Sequence, residues 1–240
     1  LLMLFKLYMF AAAAALFTVG LFVYAAQSAG LTRDHGPMDV GRGLSLPPHT
    51  EVAGAPPWWA AIFALVADAT LFTSLLFGAL YLWISAPNWP PAELPDPNLP
   101  LTIIALVAPA CASIASRGAL RTTAAGRSPG VWIAAASAAL VAALVVVIIL
   151  IGGIVPHPRE HALAATNAAL LGYVALHSFI GLLFMLSNVL RFNAGRISAL
   201  RLTDLRLSRL WLDYTATTAA VAMCLILILP TLAAMLKVRP

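Results

Sequence analysis

The chain has 240 residues, of which 62% are hydrophobic and only 10% charged, with 14 Lys and Arg against 9 Asp and Glu. Soluble domains are about half apolar and about a quarter charged, so this composition excludes an ordinary water-soluble fold. A mean hydropathy of +0.93 and long apolar runs between short polar breaks are typical of a polytopic helical membrane protein. The sequence therefore predicts an all-α transmembrane helix bundle.

Six segments are long and apolar enough to cross the hydrocarbon core, which takes about 20 residues of helix. In chain order they are 7–26, 58–85, 100–117, 131–155, 164–190 and 210–236. The third contains Pro109, which predicts a kink whose freed backbone group is satisfied by a neighbouring helix or by Ser113. We treat 1–46 as the first span with its linker and 47–240 as the rest of one membrane domain. Alanine runs at 11–15 and 134–143 favour close helix packing.

Arginines concentrate in the loops on one side of these spans. That side carries Arg33, Arg42, Arg117, Arg121, Arg127, Arg191, Arg196, Arg201, Arg206 and Arg209, and the other side carries Lys6, Arg159, Lys237 and Arg239. The positive-inside rule places loops 27–57, 118–130 and 191–209 in the cytoplasm and the C-terminus on the outer side. Six tryptophans fall near predicted span ends and are expected to be interfacial: Trp58, Trp59, Trp83, Trp89, Trp132 and Trp211.

The same orientation puts the N-terminus outside, so the first span runs inward. Such a span normally follows an earlier one that brings the chain out. We therefore expect residues 1–240 to continue a longer polypeptide with at least one helix upstream. The alternative is a mature chain left by signal cleavage.

The net charge of +5 is explained by cytoplasmic loops rather than by nucleic acid, because no basic run interleaved with aromatic residues occurs outside those loops. The two cysteines, Cys111 and Cys224, lie inside apolar runs. We expect both to be buried small hydrophobic residues without disulfide or metal roles.

Asp68 is the most unusual residue of the predicted spans, because it lies ten residues into the second one. A carboxylate at that depth costs at least a few kcal/mol unless it is paired, protonated or facing protein. Two interpretations stay open. Asp68 has a functional role in proton relay, ion contact or lipid contact, or it is a protonated acid bonded to a neighbouring helix.

His177 lies near the middle of the fifth span, and no other His or carboxylate stands three or four positions from it. This spacing argues against a metal site local to that helix and favours a hydrogen-bonded structural histidine. The other four histidines lie in predicted loops, which argues against bis-histidine haem ligation. Arg209 and Asp213 are one turn apart and predict an ion pair. No nucleophile elbow, phosphate loop or dinucleotide fingerprint occurs, so the chain has no predicted catalytic centre of its own.

The order of several motifs resembles subunit III of the haem–copper cytochrome c oxidases. Pro47-Pro48-His49-Thr50 leads to Trp58-Trp59 and then to Asp68, which is followed by Phe72 and Phe77; later come Leu176-His177-Ser178-Phe179-Ile180-Gly181 and, 14 residues after the histidine, Arg191. In that family the third helix carries a buried glutamate in a Phe-rich run, and the sixth carries His-x-x-x-Gly with an arginine at its inner end. The resemblance covers roughly 47–236 and implies that the six spans are helices two to seven.

Residue by residue, the resemblance puts Asp68 on the buried glutamate, His177 on the second His of a His-Gly-Leu-His motif, and Arg191 on the inner arginine. This chain differs in having Asp for Glu, Val174 at the first His position, and residues 214–218 in place of an aromatic-rich His/Asp motif. The chain also resembles the C-terminal part of bacterial oxidases in which subunits I and III are fused.

The family implies a subunit without haem or copper of its own, since both sit in the catalytic subunit I that it packs against in the bacterial inner membrane, with subunit II in the same complex. It also implies bound phospholipid and a contribution to proton uptake and turnover stability. Asp68, His177 and Arg191 are then the lipid-binding or proton-related candidates, and Arg191 suits a lipid phosphate.

Two other functions compete with this one. The first is a small proton- or cation-coupled secondary transporter with Asp68 as its ion site, although such proteins usually contain internal repeats with matching helix breaks. The second is a purely structural assembly protein of the membrane.

Overall fold

The computed structural model describes residues 8–28, 37–46, 51, 54–85, 98–154 and 158–237. Within this part of the chain lie six helices: α1 (Tyr8–Ser28), α2 (Pro56–Ser85), α3 (Leu99–Ala124), α4 (Gly130–Gly152), α5 (Ala162–Asn193) and α6 (Thr203–Lys237). The predicted all-α class is confirmed. Several residues used above lie outside the described residues, namely Lys6, Arg33, residues 47–50, Trp89, Arg239 and the side chain of Lys237.

By length and composition, five of these helices, α2 to α6, can cross a membrane. In the described part of α1 the apolar stretch is shorter and covers Ala12–Leu21. The protein is therefore multi-pass in character, with five clear spans where the sequence predicted six.

Several helices extend further at their basic ends than hydropathy predicted. α3 continues to Ala124 instead of ending at 117, α5 ends at Asn193 instead of 190, and α6 begins at Thr203 instead of 210. The predicted loops 118–130 and 191–209 therefore shrink to 125–129 and 194–202. The reason is physical: hydropathy marks only the apolar core of a span, whereas the helix continues beyond it into a segment that contains arginines.

The four helices α3 to α6 form the centre of the bundle, with α3 against α4 and α6, and α5 against α4 and α6. Ala105, Ala112, Ala136 and Ala143 are fully buried at these contacts, as close packing of small residues requires. α2 lies against α5 and α6, and α1 lies against α5. Of the two alanine runs, the one in α4 packs through Ala136 and Ala143, whereas Ala134, Ala135, Ala138 and Ala142 are exposed, as are residues 12–15 of α1.

The cysteine prediction was wrong, because Cys111 and Cys224 are both exposed on the surface of the bundle. An apolar run indicates only that its residues are kept from water. In a membrane protein such residues can face either the lipid or the protein interior. The interfacial placement of Trp211 stays a prediction. Since α6 begins at Thr203, Trp211 lies two turns inside the helix and packs against α5.

A small hairpin between α1 and α2 was not predicted. Strands β1 (Met38–Asp39) and β2 (Ser45–Leu46) pair antiparallel. Their turn contains three consecutive residues with positive φ, at Gly41, Arg42 and Gly43. Two glycines supply that conformation at little steric cost, which allows so short a hairpin. Glu51 follows the hairpin, and its carboxylate accepts hydrogen bonds from Leu202 N at 2.9 Å and Thr203 N at 3.1 Å.

Candidate functional site

The candidate site is a polar cluster around Asp68, where the middle parts of α2, α5 and α6 meet. Oδ2 of Asp68 accepts hydrogen bonds from Tyr173 and, at 2.7 Å, from Tyr214, and it lies 2.9 Å from Nε2 of His177. The two hydroxyl oxygens are 2.8 Å apart. Three polar side chains from α5 and α6 thus converge on one carboxyl oxygen of α2.

The hydrogen bonds of His177 limit where its protons can lie. Nδ1 is 2.9 Å from the carbonyl oxygen of Tyr173, and a carbonyl only accepts, so Nδ1 carries a hydrogen. One further proton lies between Nε2 and Asp68. Either His177 is an imidazolium that donates to a carboxylate, or a neutral His177 accepts from a protonated Asp68. Both arrangements leave the pair without net charge.

That neutrality explains how the cluster is tolerated at this depth. The His177 side chain is 1% exposed and that of Asp68 is 24% exposed. An isolated charge there would be costly, whereas a hydrogen-bonded pair with no net charge loses much less on leaving water. The arrangement can hold a proton in either of two positions over a short distance, which is the property that a proton-relay or proton-buffering group needs.

Aromatic rings fix the orientation of the imidazole. Tyr173 and His177 stack at a centroid distance of 4.0 Å, as expected for residues four apart on one helix face. On the other side, the Trp211 indole lies 5.1 Å away and within 5° of parallel. Trp211 Nε1 also donates to the carbonyl oxygen of His177 at 3.1 Å. Phe72, one turn after Asp68 on α2, packs on the ring of Tyr173 at 4.9 Å.

Arg191 is not part of this cluster. It is 14 residues further along α5, or roughly 21 Å at the helical rise of about 1.5 Å per residue. Its Nε lies 2.8 Å from Oδ2 of Asp204 on α6, and its side chain is only 11% exposed. Of the three candidates from the sequence, the structure brings Asp68 and His177 together and gives Arg191 an ion pair between helices.

A second polar network lies nearer the basic end, around Asp213. The predicted Arg209–Asp213 pair is confirmed, with 3.4 Å between Nε and Oδ2. Asp213 Oδ1 also accepts from Arg117 at 3.0 Å and from the Ser113 hydroxyl, both on α3. Ser113 therefore serves this contact between α3 and α6, and not the backbone near Pro109, and α3 runs through Pro109 as one continuous helix.

Sequence reasoning missed Tyr173, Tyr214 and Trp211 as site residues. For Tyr173 a signal existed, because its position four residues before His177 puts both on one helix face. Tyr214 was noted only as a difference from the oxidase motif. Its approach to Asp68, 146 positions away in the chain, is a consequence of helix packing that no local spacing reveals.

In the part of the chain that the structure describes, no group of three or more His, Cys, Asp or Glu side chains is arranged to hold a metal ion. Comparison with known protein families finds no family model that matches, and no curated protein matches the chain. The function is therefore inferred from the geometry of the site and from the motif resemblance.

Proposed function

We propose that this chain is a non-catalytic integral-membrane subunit or domain of a haem–copper cytochrome c oxidase, similar to subunit III. In this proposal it packs against catalytic subunit I, to which it is joined covalently or as a separate chain, and lies beside subunit II. Haem and copper belong to those partners. The chain binds phospholipid and supports proton uptake and the stability of the catalytic subunit during turnover.

The observation that carries the proposal is the contact between Asp68 and His177. The motif resemblance selected these two positions independently, one on each of two helices, and it implied nothing here about their distance. They lie 109 positions apart in the chain and 2.9 Å apart in space. A proton-supporting role needs an acid and a base in hydrogen-bond contact inside the helix bundle, and this pair has that contact.

The proposal also assigns the helix order. In it, α1 is a sixth span and α1 to α6 correspond to helices two to seven of subunit III. Gly181, four residues after His177, is buried where α5 approaches α4 and α6, which agrees with a His-x-x-x-Gly motif that serves helix packing. We place the protein in the bacterial inner membrane, with loops 27–57, 118–130 and 191–209 in the cytoplasm and the C-terminus outside.

The competing proposal is a proton-coupled transporter with Asp68 as its site. The 24% exposure of the Asp68 side chain favours it, because a transported proton must reach the carboxyl group. A metal cation at Asp68 is disfavoured. Its Oδ2 already accepts hydrogen bonds from two hydroxyls and is in hydrogen-bond contact with an imidazole nitrogen.

The test is a reduced-minus-oxidised visible spectrum of the tagged protein, solubilised gently from its native membrane and purified with whatever accompanies it. The proposal predicts haem bands and oxygen consumption in the purified material. A colourless preparation with an intact, folded chain would overturn the oxidase proposal and favour the transporter. Proton uptake into vesicles that contain only this chain would then test the transporter directly.

A further inference from the structure

Five aromatic rings form a continuous column that passes through the Asp68 cluster. In spatial order they are Phe72, Tyr173, His177, Trp211 and Phe184, and successive ring centroids are 4.9, 4.0, 5.1 and 5.6 Å apart. Aromatic pairs in proteins usually have centroid distances of about 4.5–7 Å, so every step of the column is a direct contact. Direct contact between π systems is the condition for passing an electron from one ring to the next.

Two rings of this column, those of Tyr173 and Trp211, are readily oxidised by one electron. Phenol and indole lose an electron far more easily than the phenyl ring of phenylalanine or a neutral imidazole does. Only the His177 imidazole separates the two, and it lies within 27° of parallel to the first and within 5° of parallel to the second. An oxidised Trp211 can therefore be reduced by Tyr173 across one intervening ring.

The hydrogen bonds of the two rings determine where the oxidised state is most stable. An oxidised phenol is a strong acid and persists only if its proton has an acceptor nearby. The Tyr173 hydroxyl donates to Oδ2 of Asp68, which is itself in contact with Nε2 of His177, so this pair can accept the proton. Trp211 Nε1 donates at 3.1 Å to a backbone carbonyl, which is a very weak base. The oxidised state is therefore more stable on Tyr173 than on Trp211.

Tyr214 supports a radical on its neighbour and does not belong to the column. Its ring is tilted by 50° from that of His177, at a centroid distance of 5.8 Å. Its hydroxyl oxygen lies 2.8 Å from that of Tyr173, so Tyr214 can turn its hydrogen toward the oxygen of a phenoxyl radical and stabilise it. Tyr173 is only 5% exposed, which shields such a radical from reductants in water.

We propose that the column and the Asp68 cluster form a redox site that stores one oxidising equivalent as a neutral tyrosyl radical on Tyr173. A high-potential one-electron oxidant takes an electron from Trp211 and leaves an indole radical cation. Tyr173 then gives an electron to Trp211, its O–H bond breaks, and the proton passes to the pair of Asp68 and His177. The products are the reduced oxidant, a restored Trp211, the phenoxyl radical, and a pair that carries one added proton.

The test is flash oxidation of the protein purified from its native membrane with its natural partners. Light converts a ruthenium(II) tris-bipyridine complex, with persulfate as electron acceptor, into the ruthenium(III) oxidant. Samples frozen after the flash are examined by electron paramagnetic resonance, and a parallel preparation with ring-deuterated tyrosine identifies a tyrosyl signal. Tyr173→Phe is the test variant, because it keeps the ring and removes the hydroxyl group. Tyr81→Phe, at an exposed tyrosine of α2, is the matched control.

We expect a long-lived tyrosyl signal in wild type and in Tyr81→Phe, and the loss of most of it in Tyr173→Phe. Asp68→Asn should also lower the yield, because an amide oxygen is a poor acceptor for the phenolic proton. If wild type gives no long-lived tyrosyl signal, the proposal is overturned whether or not the variants assemble. Equal losses in Tyr173→Phe and Tyr81→Phe, or an unchanged yield in Asp68→Asn, would also overturn it.

This chemistry is independent of the oxidase function proposed above, although both use Asp68. Any one-electron oxidant of sufficient potential serves, and the ruthenium complex supplies one whether or not the purified material contains haem. A haem-free preparation that forms the radical would overturn the oxidase function alone. A haem-containing preparation without the radical would overturn the redox site alone.

Discussion

Nε2 of His177 on α5 lies 2.9 Å from Oδ2 of Asp68 on α2, and this contact joins a peripheral helix to the centre of the bundle. α2 has few buried side chains of its own, namely Leu65, Phe72 and Ala79. The polar cluster is therefore a large part of what orients α2 relative to α5 and α6. This structural role is separable by experiment from the proposed role of the cluster in proton supply.

The structural role predicts energetic coupling between Asp68 and His177. Asp68→Asn and His177→Gln should each lower the free energy of unfolding, and the double variant should lose less than the sum of the two. We expect a coupling of about 1–3 kcal/mol, as for contacting residues in one network. Unfolding of the three variants and wild type in mixed detergent micelles measures it. Simple additivity would mean that the contact is energetically unimportant.

At Gly181, in the centre of the bundle, the neighbouring side chains leave too little room for a Cβ atom. A Cβ atom there would lie 2.9 Å from Leu212 Cδ2 and 3.2 Å from Leu140 Cδ1. Gly181→Ala should therefore destabilise by about 1–3 kcal/mol through overpacking. Gly172→Ala on the same helix is the control, because its Cβ would meet nothing within 4 Å. The thermal midpoints of the two variants give the comparison, and equal midpoints would refute the close approach.

The network around Asp213 predicts a salt-sensitive contribution to stability. Asp213→Asn weakens contacts to Arg117 and Arg209, whose side chains are 47% and 42% exposed. Because solvent screens such pairs, we expect a loss of about 1–2 kcal/mol that shrinks at high salt. Glu160→Gln, at an exposed acid in the loop before α5, is the charge-matched control. The free energy of unfolding of both variants is measured at two salt concentrations. The same loss and the same salt dependence in Asp213→Asn and Glu160→Gln would contradict the prediction.

Glu51 is expected to stabilise the start of α6. Its carboxylate accepts from the backbone N–H groups of Leu202 and Thr203, as a helix N-cap does. Glu51→Ala should cost about 0.5–2 kcal/mol and speed amide exchange at those two residues. Hydrogen exchange followed by mass spectrometry measures this, with Asp39→Ala in the hairpin as the control. Unchanged exchange at the start of α6 would show that the cap is dispensable.

The helices could be predicted from the sequence because each is encoded locally by a long apolar run. Their ends could not, since Thr203 to Arg209 is polar in composition yet helical, stabilised by the Glu51 cap and by the Arg191–Asp204 pair. The first contact spans 151 positions of the chain, and the second joins two different helices. Hydropathy alone contains no information about them.

Two residues of the candidate site, Asp68 and His177, could be predicted from the sequence. The geometry of the site could not. Asp68 and His177 stand out because ionisable groups are rare in apolar helices. Tyr173 and Tyr214 do not, because tyrosine is common near membrane interfaces and its hydroxyl acquires meaning only beside a partner. The assembly of the cluster depends on how α2, α5 and α6 pack, which is a tertiary property.

The most direct test of the account is the time course of oxygen consumption by the purified complex that carries Asp68→Asn, with Glu160→Gln as the charge-matched control. If Asp68 supports proton supply, the variant complex should assemble and contain haem, but its turnover should be slower or should decay sooner than that of the control. The account predicts a difference confined to Asp68→Asn. Identical rates and identical inactivation in wild type and both variants would contradict a functional role for this carboxyl group.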